Sequence, residues 1–274
     1  MRIWLLIGSI AAATLFASPA WSNSERIRID YVPPEDPAHE AISKSLQRHR
    51  VLESLQDLLG AFRLPKPLLL QVKGCKGVPN AWYENNAVTV CYEFVADIEA
   101  RAPQTTGPDG ITRTDAIVGT LAQVLLHETG HALFDLLHVP IFGREEDAAD
   151  QFAAYLILQM HREDARRIID GVAHMLWNES TVRKVDRDAF SNIHGLPAQR
   201  FFNLVCMAYG AHTWYYADIV SKGMLPEERA ESCKTEYRQV AHAFDTLISP
   251  YIDPDSRAKF RSTLKGFRVP ELAK

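Results

Sequence analysis

Two histidines with three residues between them, His127 and His131, lie inside a strongly apolar stretch, and an acidic run containing Glu146 follows fifteen residues later. Side chains four residues apart lie on one side of an α-helix, one turn from each other, so both imidazoles can reach a single cation. A buried helix with two histidines has a large desolvation cost unless those groups are paired or bound to metal. We therefore expect a second helix, carrying Glu146, to pack against the first.

The motif predicts one Zn²⁺ ion held by His127, His131 and Glu146. Three protein ligands leave a fourth position for water, which distinguishes a catalytic zinc ion from a structural one. Glu128, next to the first histidine, is then placed to take a proton from the bound water. Gly130 costs about 1 kcal/mol relative to alanine in a helix interior. Close approach of the second helix is a reason for a glycine at this position.

Spacing alone leaves the third ligand open. Glu146 is the first candidate, Asp147 the second and Glu145 the third. Asp150 lies one turn beyond Glu146 on the same face, where it can accept the remaining N–H of a zinc-bound histidine and fix its tautomer. The alternative for all these acids is a solvated helix start, because acidic side chains favour the first turn of a helix.

The beginning of the chain has the layout of a secretory signal. Arg2 precedes an uncharged run over residues 3–16, and mostly small residues follow to position 22. A signal peptide over residues 1–22 predicts export to the periplasm or the medium. The alternative is an uncleaved anchor, although about fourteen apolar residues are short for a bilayer span. No later stretch is long and apolar enough to cross a membrane, so no stable span is expected after cleavage.

The rest of the composition is ordinary for a soluble globular protein. Without residues 1–22 the formal net charge moves from −4 to −5, and Lys and Arg are scattered, so no nucleic-acid partner is expected. No convincing linker divides residues 23–274, which are expected to form a single domain. The sequence does not indicate the oligomeric state.

Four cysteines behind an export signal favour two disulfides, for which three pairings exist. The pairing between sequence neighbours, Cys75–Cys91 and Cys206–Cys233, is preferred because each pair brackets a short unit. A cysteine metal cluster would need close Cys-x-x-Cys pairs, and the sequence has none. Buried free thiols are the remaining alternative.

Hydrophobic periodicity predicts a small sheet followed mostly by helices. Residues 23–37 are polar and proline-rich and are expected to be an extended lead-in. Short strands are expected at 68–72 and 88–92, with Asn85 and Asn86 forming a turn before the second. A loop is expected at 104–110 and an irregular polar segment at 178–195. Helices are expected at 38–62, from 112 or 114 to 137, from 143 through 158, at 162–177, at 198–221 and at 226–247.

The acidic segment 144–154, with the Glu-x-x-x-Asp spacing of Glu146 and Asp150, resembles the third-ligand helix of gluzincin metallopeptidases. The chain is also similar to a bacterial family of metallopeptidases of uncharacterised function. The segments that carry this similarity are 80–83, 90–93, 199–203 and 225–230, which together cover much of residues 75–235.

This resemblance implies an α+β, predominantly helical, zincin-like fold with a small N-terminal sheet and a C-terminal helical subdomain. It implies the same zinc ligands, Glu128 as general base, and Asp150 as the partner of His127. It also implies that residues 88–92 form the sheet edge above the zinc helix, on which a peptide or protein substrate docks by adding a strand. The Cys75–Cys91 bridge would brace that edge.

Zincins usually supply a Tyr, His or Arg that stabilises the oxyanion formed when water attacks the carbonyl. The candidates in the C-terminal half are His194, Arg200, Tyr209 and His212. The favoured function is an exported zinc metallopeptidase. The alternatives are a zinc-stabilised binding or scaffold protein without catalysis, and a zinc hydrolase of a non-peptide amide or ester.

Overall fold

Four short strands form one sheet in the N-terminal third of the protein. The computed structural model describes residues 26–107 and 109–268, so the expected signal peptide lies outside the described residues. The strands are β1 (Ile27–Tyr31), β2 (Leu68–Lys73), β3 (Ala81–Glu84) and β4 (Ala87–Cys91), in the spatial order β1-β2-β4-β3. The first three in that order are parallel, and β3 is antiparallel to β4. The residues expected to be an extended lead-in therefore include a strand.

Ten α-helices account for most of the described residues. Their bounds are α1 (Glu40–Arg48), α2 (Val51–Leu59), α3 (Tyr92–Arg101), α4 (Arg113–Leu136), α5 (Glu145–Leu158), α6 (Arg162–Val182), α7 (Pro197–Ala211), α8 (Ala217–Ser221), α9 (Glu227–Ala243) and α10 (Arg257–Gly266). Apolar side chains from the sheet and from the helices on both sides of the site join in one continuous core. The expectation of a small sheet followed mostly by helices is confirmed.

The single helix expected over residues 38–62 is wrong, because the chain forms α1 and α2 with a break between them. Arg50 adopts a left-handed backbone with φ of 52°, which no continuous α-helix allows. The Tyr31 hydroxyl accepts a hydrogen bond from the Leu52 N–H at 2.8 Å and donates to Glu53 at 2.9 Å. The strand β1 thereby satisfies a main-chain donor at the start of α2.

The helix expected over residues 198–221 is also interrupted. Its first part, α7, ends at Ala211, and His212 leaves the helical region with φ of −145°. Tyr216 is buried before α8 begins, and its ring lies 5.2 Å from the Arg166 guanidinium. Burial of this aromatic side chain fixes the turn between the two helices.

The two-residue turn before β4 closes a tight hairpin. Asn85 and Asn86 both have positive φ, 52° and 58°, as a type I′ turn requires. The hairpin adds β3 to the outside of β4, so the expected edge position of residues 88–92 is wrong and β3 is the edge strand. The strand β4 also ends one residue earlier than expected, because Tyr92 begins α3.

The long helix α4 runs through the centre of the helical part. It begins at a capping box in which Thr112 and Asp115 bond reciprocally to each other's main chain, close to the expected start. Gly171 of α6 lies against the Asp115 carbonyl, and a Cβ atom at this glycine would overlap that oxygen. The close crossing of α4 and α6 therefore depends on a residue without a side chain.

Each of two disulfides ties together two neighbouring parts of the fold. Cys75–Cys91 links the segment after β2 to the end of β4, and Cys206–Cys233 links α7 to α9. Both match the pairing expected between sequence neighbours. In the part of the chain that the structure describes, no helix is both long and apolar enough to span a bilayer.

Candidate metal centre

Three side chains from two helices meet at one point. His127 and His131 are one turn apart on α4, and Glu146 lies in the first turn of α5. Nε2 of His127 is 3.1 Å from Nε2 of His131 and 3.1 Å from Oε2 of Glu146. Nε2 of His131 is 3.4 Å from the same oxygen. The structure thus brings together the three side chains expected to hold a metal ion.

The two helices can meet this closely because α4 has a glycine at the crossing. A Cβ atom added to Gly130 would lie 3.1 Å from Cδ1 of Phe152 and 3.4 Å from Cα of Ala149, both on α5. These distances are at the limit of van der Waals contact, so a larger side chain would push α5 outward. The interpretation of Gly130 as a residue that admits the second helix agrees with this geometry.

Each histidine also has a carboxylate partner on its outer nitrogen. Nδ1 of His127 is 2.8 Å from Asp150, and Nδ1 of His131 is 2.7 Å from Glu145. An ionised carboxylate only accepts hydrogen bonds, so each Nδ1 carries the hydrogen and each Nε2 of a neutral ring presents a lone pair. Asp150 has the contact that was expected of it. Glu145, the third-ranked ligand candidate, contacts the outer side of His131 instead.

The carboxylate of Asp150 is held in place by Arg200. Nε and Nη2 of Arg200 donate to its two oxygens at 2.7 and 2.8 Å, in the planar two-point contact that guanidinium groups form with carboxylates. Burial alone would raise the pKa of Asp150, but the hydrogen bonds from His127 and Arg200 hold it well below its usual range. Arg200, one of the oxyanion candidates, is therefore engaged in orienting Asp150.

The electrostatics of this cluster favour a positive charge at its centre. The hydrogen bond with His127 lowers the pKa of Glu146 to about 2. Burial acts to lower the pKa of His127, yet its hydrogen bonds with Asp150 and Glu146 raise that pKa to about 9. The surrounding carboxylates thus stabilise a cation among the ligand atoms.

The side chain of Glu128 extends from α4 toward the edge strand β3. Its side chain is 8% exposed, and burial raises its pKa. The main chain of Tyr83 donates a hydrogen bond to it, and the Tyr83 hydroxyl donates to Asp135 of α4 at 2.6 Å. Tyr83 therefore fixes β3 over the same helix that carries the two histidines.

The hydrogen-bond pattern of the hairpin leaves one side of β3 without a partner strand, and on that side the Tyr83 N–H donates to Glu128. The Cys91 N–H donates to the Asn80 carbonyl at 3.0 Å, which makes residues 80 and 91 a hydrogen-bonded pair. Alternate residues of an antiparallel ladder face the partner, so the main-chain groups of Ala81 and Tyr83 point away from β4. Those groups lie at the sheet edge beside α4.

The four oxyanion candidates have different positions. Nε2 of His194 is 2.8 Å from Oε2 of Glu146, and its ring stacks over that of His127 with centroids 5.9 Å apart. Tyr209 packs against the hydrophobic core, and His212 follows the end of α7. Among the described residues that line the cavity beside the site are His194 and Arg200. Tyr209 and His212 do not line it.

A cavity with a volume of about 270 Å³ opens beside His127, the member of the three-residue cluster that lines it. It is lined by His127 and Glu128 from α4, by Ala81 from the edge strand and by His194. Its far wall is formed by apolar side chains of α6 and α7, among them Met175 and Leu204. A cavity of about 150 Å³ holds benzene, so this one is large enough for a single amino-acid side chain.

The fold thus brings two histidines and one glutamate, a group able to hold a metal ion, together on two crossed helices. The chain belongs to the DUF4344 family, described as "Putative metallopeptidase", whose model matches residues 31–248. The match includes every residue of the cluster, and the similarity to a bacterial metallopeptidase family is confirmed. No curated protein and no solved structure matches the chain.

Proposed function

We propose that the protein is an exported zinc metallopeptidase of zincin-like architecture that hydrolyses peptide bonds. The observation that carries the proposal is the convergence of three potential ligand atoms, Nε2 of His127, Nε2 of His131 and Oε2 of Glu146, on one point. These atoms lie 3.1–3.4 Å apart, close enough for all three to bind one cation, and the carboxylates around them favour a positive charge there. Membership of a family described as metallopeptidases also supports a metal in this protein.

The distances among the ligand atoms suit one zinc ion. Zinc is bound by nitrogen and oxygen at about 2.0–2.2 Å in a tetrahedron, whose edges are then about 3.3–3.6 Å. The three separations of 3.1, 3.1 and 3.4 Å are within about 0.3 Å of that range. The donor set of two imidazoles and one carboxylate is also one that zinc hydrolases use. Zinc bound here would lower the pKa of a water in its open position and polarise the substrate carbonyl.

Glu128 is the proposed general base. Its carboxylate faces the cavity one residue from His127, and the main chain of Tyr83 holds it there. It would take the proton of the attacking water and deliver it to the leaving nitrogen as the peptide bond breaks. One carboxylate can perform both transfers because the two groups react in succession at the same place.

His194 is the proposed donor to the oxyanion. Because Glu146 is an ionised acceptor, the hydrogen bond between them requires that Nε2 of His194 carry the hydrogen. Burial lowers the pKa of His194, and the neutral ring still retains this one N–H. A donor at the rim of the cavity can turn to a substrate oxygen when negative charge develops on it.

The edge strand is the proposed docking site for the substrate main chain. The N–H and carbonyl of Ala81 and the carbonyl of Tyr83 point away from β4, and an extended peptide can pair with such groups as an added strand. This mode recognises the peptide backbone and leaves side-chain selection to the neighbouring cavity. Peptide recognition by strand addition favours a peptidase over a hydrolase of other amides or esters.

We also propose that residues 23–274 form one exported domain. The large hydrophobic core that joins the sheet to the helices supports one domain. Two disulfides support export, because such bonds persist in oxidising compartments. The signal itself, residues 1–22, lies outside the described residues.

Replacing Glu128 with Gln tests the proposed function against a purely structural metal site. The variant keeps the shape of the side chain but cannot accept a proton, so bound zinc should stay near one equivalent while hydrolysis of a peptide library falls by about 100-fold or more. Zinc content and cleavage are measured on the same samples. If the wild-type protein cleaves no peptide, the scaffold alternative is favoured. If it cleaves esters or small amides only, the non-peptide hydrolase is favoured.

A further inference from the structure

We propose that Arg144 positions His194 for catalysis by anchoring the segment that carries it. This inference rests on the proposed function, in which His194 donates a hydrogen bond to the reacting oxygen. It concerns a residue that contacts neither the ligand atoms nor the substrate. The evidence is the set of hydrogen bonds that connects residues 183–196 to the rest of the molecule.

His194 lies outside the regular secondary structure. After α6 ends at Val182, the chain is irregular up to α7, except for one short 3₁₀ turn (Asp188–Ser191). Side chains on helices are positioned by the helix, but a side chain on such a connection depends on whatever holds the connection. The location of His194 therefore requires a separate explanation.

Arg144 supplies that explanation. Its Nη2 donates to the carbonyl of Asn192 at 2.8 Å and to the carbonyl of Ile193 at 2.6 Å, and these are the two residues before His194. Arg144 is also the N-cap residue of α5, directly before Glu145 and Glu146. The segment is thus attached to the start of the helix that contributes to the metal centre.

Apart from the contact between the His194 ring and Glu146, the other hydrogen bonds of this segment are local. Within residues 184–193, the main-chain N–H groups of Ala189 and Phe190 donate to carbonyls three residues earlier in the sequence. His194 itself donates from its N–H to the Asn192 side chain at 2.9 Å. Local bonds stiffen the segment but do not fix its position over α5. The two bonds from Arg144, which lies two residues before Glu146, hold the main chain of the segment over α5 so that the His194 ring can reach the site.

The consequence is a division of roles. The zinc ligands are placed by α4 and α5, so loss of Arg144 leaves metal binding intact. The segment gains freedom, and His194 spends less time aimed at the cavity. An interaction that acts in the transition state affects kcat, whereas substrate binding on the edge strand is left nearly unchanged.

Arg144→Met tests the proposal, with Arg187→Met as the matched control. Arg187 lies in the same segment with an exposed side chain, so its replacement removes the same charge without removing the anchor. We expect Arg144→Met to lower kcat about tenfold, to change KM less than about threefold and to leave zinc content unchanged. Arg144→Lys, which retains a charged donor, should recover part of the loss. Arg187→Met should behave as the wild type.

A double-mutant cycle with His194→Ala shows whether the loss of kcat in Arg144→Met acts through His194. If Arg144 acts through His194, Arg144→Met has no further effect on kcat once His194 is absent. An undiminished tenfold loss in that background overturns the proposal. Amide hydrogen exchange gives a readout that does not need activity, and exchange over residues 184–194 should be about tenfold faster in Arg144→Met than in Arg187→Met.

The exchange measurement also separates this proposal from the function on which it rests. If the wild-type protein hydrolyses no peptide but Arg144→Met still releases the segment, the proposed function fails and the anchor stands. If exchange over residues 184–194 is the same in both variants, the anchor is refuted whatever the activity is.

Discussion

Removing the charge of Asp150 tests how far the zinc ligands depend on their outer partners. Asp150 accepts hydrogen bonds from His127 at 2.8 Å and from Arg200 at 2.7 and 2.8 Å. Asp150→Asn keeps the size of the side chain but loses its negative charge and one acceptor oxygen. His127 then loses its charged partner, and the Arg200 guanidinium is left without a counterion.

The two losses have different magnitudes. Replacing the residue that accepts the hydrogen bond of a metal-bound histidine typically weakens metal affinity by about 10–100-fold. Breaking a buried ion pair costs about 3–5 kcal/mol. The side chains of Asp150 and Arg200 are 19% and 24% exposed, so we expect the lower end, about 3 kcal/mol. For a chain of this size that corresponds to a fall in Tm of roughly 6–12 °C.

Zinc affinity is measured by competition with a chromophoric chelator, and stability by urea unfolding of the metal-free protein. The double variant Asp150→Asn, Arg200→Gln separates the two effects, because it removes both charges together. Replacing both partners of such a pair is close to neutral, so stability should return to within about 1 kcal/mol of the wild type. Zinc affinity should stay low. If affinity returns together with stability, Asp150 acts only through the fold and the reasoning is refuted.

Two further predictions concern the framework of the site. Gly171→Ala should lower the free energy of unfolding by about 2–4 kcal/mol, because its Cβ would overlap the Asp115 carbonyl and force α6 away from α4; urea unfolding within 0.5 kcal/mol of the wild type would contradict this. Hydrogen bonds from Arg166 and Lys222 lower the pKa of Asp218, so the folded state is stabilised above the unfolded pKa of about 4 and loses this contribution as pH falls further. Asp218→Asn should therefore be about 1 kcal/mol less stable than the wild type at pH 7, and the difference should shrink below pH 4. A difference that is constant with pH would refute the assignment.

The centre of the site could be predicted because it depends on local periodicity. The four-residue spacing of His127 and His131 places both on one face of a helix, and an apolar surrounding places that face inside. The acidic run supplied the partner helix, and the glycine at position 130 indicated where the helices cross. Which acid occupies which place needed the structure, because Glu145 and Glu146 are adjacent and differ by 100° around α5.

The contributions from the C-terminal half could not be ranked from the sequence. His194 lies on an irregular segment to which Arg144 donates hydrogen bonds from 48 and 49 residues away in the sequence. Arg200 was a candidate for contact with substrate, yet its guanidinium faces Asp150. Neither contact follows from periodicity, since both depend on how helices and loops pack in three dimensions.

The missed parts of the sheet did leave weak signals. Ile27, Ile29 and Tyr31 alternate with polar residues, which is the pattern of a half-buried strand, but the prolines that follow favoured an extended lead-in. The strand β3 has only four residues, and its pairing became evident from the turn at Asn85 and Asn86. β3 lies outside β4 because the tight turn pairs the two strands directly, on the side of β4 that β2 leaves free.

The most direct test of the proposed metal centre is the zinc affinity of two neighbouring variants, Glu146→Ala and Asp147→Ala. A four-coordinate zinc site is worth about 10–16 kcal/mol, so loss of one ligand should weaken binding by about 100-fold or more. The account predicts this loss for Glu146→Ala and a change of less than about threefold for Asp147→Ala. If Glu146→Ala retains one tightly bound zinc per chain while Asp147→Ala loses it, the three-ligand centre described here is wrong.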